Sequence, residues 1–223
     1  MTNGARLTVL QAIARALRGE AAAAAPPPLQ RDEEEVRPSD GADLVRSFCS
    51  ELTLLGGGVT TVEDAQACAA EINHRLRAAG TAKLAVQSSP LAREVARNLS
   101  GIDVIVAREA PLAALEACGC SLVEAQALFA DTGSALVLAD NSGDRTLPYL
   151  ARTCFVVTTM EKLHATLNSA ALSGLQQAAQ SGARGEAVIV TGPSRTADIE
   201  KILILGAHGP AELHVYILEK SPP

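Results

Sequence analysis

The chain predicts an α/β fold: a mainly parallel sheet with helices on both faces, mixed where one hairpin joins it. Three observations carry this. Short apolar runs alternate with segments of helical periodicity, and helices between strands imply crossover connections and parallel pairing. The apolar segments flanking Asp131-Thr-Gly133 look like a hairpin, which brings in antiparallel pairing. Finally, 223 residues, of which 48% are hydrophobic, suit one domain with a sizeable core. Only 2% are aromatic and there is no Trp, so that core must be built from Leu, Val, Ile and Ala.

The first expected element is a short amphipathic helix within residues 1–18, because Leu7, Leu10, Ile13, Ala14 and Leu17 share one helical face. Gln11 interrupts its apolar run and Arg15 and Arg18 follow, unlike the uninterrupted centre of a secretory signal. Residues 19–38 read as a linker. They hold Pro26-Pro-Pro28 and the charged run Arg31-Asp-Glu-Glu-Glu35, which stop a helix and favour water.

The α/β domain is expected over 39–223. Leu44, Val45, Phe48, Leu52 and Leu55 give a helix that Gly56-Gly-Gly58 ends. A brief strand at Val59–Thr60 follows. Thr60-x-x-Glu63 reads as a capping box for the next helix, with the stripe Val62, Ala65, Ala69, Ile72, Leu76 closed by Gly80. Strand Lys83–Gln87, helix Leu91–Leu99, strand Ile102–Ala107 and helix Pro111–Cys118 come next. Ser121-x-x-Glu124 reads as the cap of another short helix. The hairpin Leu128–Ala130 and Ser134–Ala139, strand Thr153–Thr158 and a long helix Glu161–Ala179 follow. Strand Ala187–Val190, a Gly-Pro turn, a helix Ile199–Leu205 and a last strand Leu213–Leu218 complete the pattern.

Charge and cysteine usage exclude several functions. A net charge of −6 and a pI near 5.3 supply no basic stripe, and five aromatics supply no stacking platform, so nucleic-acid binding is rejected. Cys49, Cys68, Cys118, Cys120 and Cys154 form no C-x-x-C pair, which argues against a zinc or iron–sulfur site in this chain. An odd count without a disulfide pattern favours a reducing cytoplasm. No apolar run approaches the ~18 residues that span a bilayer.

Two turns carry the candidate ligand site, placed beyond the carboxyl ends of strands as in other open α/β sheets. One is Asp131-Thr132-Gly133-Ser134. The other is Gly192-Pro193-Ser194-Arg195-Thr196, read as leading into a helix whose first turn holds Asp198 and Glu200. Free backbone N–H groups and roughly half a positive charge at such a helix start would hold an anion. Arg195 would clamp a carboxylate or phosphate. His208-Gly209 in the following turn joins the candidate set. Taken singly, these residues also read as ordinary caps and turns; as a cluster they read as a site. Neither a P-loop nor a Rossmann glycine fingerprint occurs. Ser194 has no identifiable base, Asp131 or Glu200 are the acid–base candidates, and catalytic residues stay unassigned. His74, His164 and His214 receive no role.

The run Thr191-Gly-Pro-Ser-Arg-Thr-Ala-Asp-Ile-Glu200, followed by Gly206-Ala-His-Gly-Pro210, resembles the lactate utilization protein C family, or LUD domain. Ala130-Asp-Thr-Gly-Ser134 is similar to its central motif and Leu55-Gly-Gly-Gly-Val59 to its early glycine-rich turn. The resemblance spans about residues 39–219. It implies a fold similar to sugar-phosphate isomerases, CoA transferases and folate cyclo-ligases, a Rossmann-like α/β arrangement. It also implies an accessory, non-redox subunit in oxidation of L-lactate to pyruvate. Cysteine-rich and iron–sulfur partner subunits would then carry the clusters, with no cofactor on this chain. The alternative it leaves open is a stand-alone isomerase, acyl/CoA-transferase or cyclo-ligase-type enzyme that binds a phosphorylated or CoA ligand. Members often carry a histidine where this strand reads Arg152-Thr-Cys154, so Cys154 is a departure.

Overall fold

The computed structural model describes Gln11 and residues 41–167, 186–197, 203–206 and 208–220. Apart from Gln11, the expected N-terminal helix and linker lie outside the described residues, as do Asp198 and Glu200.

Among the described residues a nine-stranded sheet organises the fold. Its parallel spine runs β1 (Gly58–Val62), β11 (Glu212–Leu218), β6 (Thr153–Thr159), β4 (Cys120–Phe129), β2 (Lys83–Val86) and β3 (Asp103–Val106). The long strand β4 serves two neighbourhoods. Cys120–Glu124 pair in parallel with β6. Beyond a register shift between Ala125 and Ala127, β4 pairs antiparallel with β5 (Ser134–Ala139) and parallel with β7 (Leu163–His164). β5 in turn pairs antiparallel with β8 (Glu186–Val190). The expected α/β fold with a mixed, mostly parallel sheet is therefore present.

Period-two alternation assigns side chains to two cores. Leu122, Phe155, Val157, Tyr216 and Leu218 pack under α2 (Ala65–Ala78) and α3 (Pro90–Arg97). Val123, Cys154, Val156, Val215 and Ile217 face α1 (Gly41–Leu54), α4 (Leu112–Glu116) and α5 (Ser142–Leu150). Both faces of the central strands are covered, which is why they read as continuous apolar runs.

Helix ends follow local chemistry. α1 buries Phe48 and Leu52 and ends at Gly56, where φ is +86°. α2 ends at Gly80, with Thr81 N–H donating to the Leu76 carbonyl at 2.9 Å. The α3 N-terminus receives a carboxylate from the sheet: Leu91 N–H donates to Glu124 Oε2 at 3.0 Å.

Five readings need correction. Thr60 caps nothing; it lies in β1 opposite Tyr216, and Asp64 caps α2 by accepting from Ala67 N–H at 2.9 Å. Ser121–Glu124 is β4, not a helix, and buried Ser121 donates to the Leu147 carbonyl at 2.9 Å. The long helix expected over Glu161–Ala179 does not start at Glu161, and residues 168–179 lie outside the described residues. Met160–Lys162 make a 3-10 turn and Leu163–His164 pair with Leu128–Phe129. Leu203–Leu205 is strand β10, antiparallel to β9 (Arg195–Ala197), where a helix was expected. Pairing between distant segments overrode local periodicity in each of these strands. Lastly, α5 was not foreseen. Its Gly143 and Pro148 resemble loop signals, but the Asn141 side chain caps it by accepting from Asp144 N–H at 2.9 Å.

Candidate functional site

The glycine-rich turns meet at the C-terminal end of α1. Gly133 (φ +61°) lies so close that an added Cβ would stand 2.5 Å from the Leu52 backbone nitrogen. Gly192 (φ +79°) packs on Leu55, with an added Cβ 2.9 Å from Leu55 Cβ. The Arg195 guanidinium donates to the Leu55 carbonyl, one of the carbonyls a helix end leaves open. The two expected site turns also touch each other: Ser134 Oγ lies 2.8 Å from Thr191 Oγ1 and donates to Thr132 Oγ1, also at 2.8 Å. Thr132 donates to Asp131 Oδ1 at 3.3 Å.

The Gly206–Pro210 turn is stitched to the same assembly. Ser194 N–H donates to the Pro210 carbonyl at 2.8 Å, and Gly206 N–H donates to the Ser194 carbonyl at 3.0 Å. Gly209 passes close to Ser194, and Pro193 is buried. Thr196 sits in β9 rather than at a helix start. The helix-dipole argument for an anion site at this turn is thereby overturned among the described residues. Arg195 remains exposed, with donors beyond the one used on Leu55. His208 is exposed and borders a separate hollow of about 300 Å³ with Arg152 and Tyr149.

A cavity of about 580 Å³ opens at the amino ends of β1, β11, β6 and β4. Gly56-Gly-Gly58 forms one wall and the C-terminal turn of α2, with Arg75, another. Cys120, Thr153, Phe155, Glu212 and His214 come from the strands. His214 is opposite Gly58 in the β1–β11 register, and an ideal Cβ at residue 58 would overlap its Nδ1. Glycine at 58 is what leaves room for the ring. His214 Nε2 lies 2.8 Å from Thr60 Oγ1 and 3.4 Å from an Arg75 guanidinium nitrogen. Arginine only donates, so Nε2 accepts and Nδ1 carries the proton. Burial, and then the Arg75 charge, hold His214 down at about 4, so the ring is neutral at physiological pH. Its ring lies tilted by 46° against that of Tyr216, with the centroids 4.7 Å apart.

This cavity was not legible in the sequence. Arg75 looked like one more polar residue on a helix, and His214 one polar residue in a strand. Pairing across 154 residues brings His214 to Thr60. Gly56-Gly-Gly58 was the available signal, which the sequence presents as a helix stop and as a glycine-rich turn of the family, not as a cavity wall.

The cysteines are thiols rather than thiolates. Burial pushes Cys68 and Cys154 up to about 12, and raises Cys49, Cys118 and Cys120. Cys154 is fully buried in the core facing α1. Among the described residues no group of three or more His, Cys, Asp or Glu could hold a metal ion. No described helix is long and apolar enough to cross a membrane.

The structure is similar to the crystal structure of a DUF162 family protein from Deinococcus radiodurans. The TM-score is 0.58 at 18% identity, covering 81% of this chain and 99% of that one. At that identity the likeness is one of fold. No curated protein matches the sequence. The LUD domain profile matches residues 39–218, a span that takes in every glycine-rich turn gathered at the end of α1. The chain belongs to the LUD domain family, which is associated with lactate utilization.

Proposed function

We propose that this chain is an accessory subunit of an L-lactate-oxidising iron–sulfur system in the cytoplasm, with the redox centres on cysteine-rich and iron–sulfur partner subunits. The family match over residues 39–218 is the observation that carries the reading. Four of the five cysteines are buried and, among the described residues, no group of three or more His, Cys, Asp or Glu could hold a metal ion, which supports clusters carried by partner subunits. In this reading the exposed Arg195, braced on Leu55, offers its remaining N–H groups to a small carboxylate or to an acidic group of a partner.

The test is lactate-dependent dye reduction by the iron–sulfur partner proteins, with and without this chain. The reading expects the rate to appear only when the chain is added. A rate indifferent to the chain overturns it. In that case the isolated protein should be screened with phosphate esters and CoA thioesters as an isomerase, transferase or cyclo-ligase.

A further inference from the structure

The cavity at the amino ends of the parallel strands holds three polar groups whose hydrogen-bonding capacity its own fold does not exhaust. Arg75 is exposed, lines the cavity and makes no ion pair among the described residues. His214 is 9% exposed, and its Nδ1–H has no hydrogen-bond partner among the described residues. The buried side-chain polar atoms left without a partner among the described residues are Asn73 Oδ1 and Tyr216 OH, not this one, so the N–H is open to water or to a ligand. Nδ1 faces the space that a side chain at residue 58 would otherwise fill. Glu212, also lining the cavity, is two residues from His214 on the same face of β11, so their side chains emerge about 7 Å apart. Among the described residues its carboxylate accepts one long hydrogen bond, from Thr153 Oγ1 at 3.5 Å. Phe155 and Cys120 supply apolar surface between these groups.

We propose that this cavity binds a small organic acid: Arg75 and the His214 Nδ1–H hold its carboxylate, Phe155 and Cys120 contact its apolar body, and Glu212 accepts from a hydroxyl or ammonium at its far end. Arg75 lies on the Nε2 side of the ring, so its spare N–H groups take the carboxylate and the neutral Nδ1–H adds a donor, with no ionised histidine required. A phosphate ester fits less well, because Arg75 would face two charges alone with Glu212 nearby. The cavity adjoins the Arg195 turn, since an added Cβ at Gly56 would stand 2.9 Å from Arg195 Nη2, so Arg195→Ala is the control: it should leave binding of the acids unchanged, and its loss there would move the site to Arg195. The test is independent of lactate oxidation.

The probes are 6-hydroxyhexanoate and 6-aminohexanoate, with 6-aminohexanamide as the control that lacks the carboxylate. Binding is read by calorimetry, and its location by amide chemical-shift changes at Gly56–Gly58. The acids are expected to bind at about millimolar or tighter and to shift those amides. Arg75→Gln, an exposed change that leaves the core intact, is expected to weaken both acids roughly tenfold or more. Glu212→Gln is expected to weaken the amino acid more than the hydroxy acid. The site is refuted if the amide binds as well as the acid, if R75Q leaves affinity unchanged, or if neither acid shifts Gly56–Gly58.

Discussion

Replacing Gly133 with alanine tests whether the hairpin tip of the LUD motif is built around the end of α1. Two costs arise. Alanine at φ +61° is strained by about 1–2 kcal/mol. The added Cβ would also lie 2.5 Å from Leu52 N, 2.9 Å from Leu52 Cα and 3.0 Å from Glu51 C, all backbone atoms. Carbon contacts relax to about 3.5–4.0 Å, so the tip and the helix must separate by roughly 1 Å. No rotamer can absorb that, and such overpacking costs a further ~1–3 kcal/mol. Gly80→Ala supplies the control. Its φ of +64° is nearly the same, but nothing stands within 4 Å of its added Cβ. It should lose only the conformational cost, partly offset by a less flexible unfolded chain. Urea unfolding followed by circular dichroism should show G133A less stable than G80A by about 1–3 kcal/mol, at unchanged slope. For a domain of this size the melting temperatures should differ by roughly 2–4 °C per kcal/mol. Equal losses in the two variants would refute the close approach and leave only the dihedral.

Two further outcomes follow from the same geometry. The unfolded His214 protonates below its ordinary 6.5 while the folded one stays neutral down to about 4, so stability should fall as pH drops through that window and level off below it. The full shift corresponds to at most roughly 3 kcal/mol, and water in the cavity screens it to about 1–2 kcal/mol. His214→Gln should therefore gain on the native chain by that amount between pH 7 and pH 4 in parallel denaturation curves; a constant difference would sink the assignment. Arg195→Ala should cost about 1–2 kcal/mol of stability by leaving the Leu55 carbonyl unmet, and unchanged urea unfolding would show that the guanidinium does not brace α1.

The sequence by itself determined the fold class, and for a physical reason. Wherever burial depends on local periodicity, as in the Phe48–Leu52 face of α1 or the Ala65–Leu76 stripe of α2, the pattern is written in adjacent residues. It also determined which turns matter, because Gly133 and Gly192 adopt backbone angles that other residues resist. Tertiary structure decided the rest. Leu163–His164 and Leu203–Leu205 are strands because of partners elsewhere in the chain, not because of their neighbours. The Gly-Pro-Ser-Arg turn became a brace on a helix end rather than the start of a helix, since a carbonyl at Leu55 was there to receive Arg195. The cavity of Arg75, Glu212 and His214 exists only because parallel pairing of β1 with β11 sets Gly58 beside an imidazole. Register between distant strands is a property of the whole sheet, and no short window of residues encodes it.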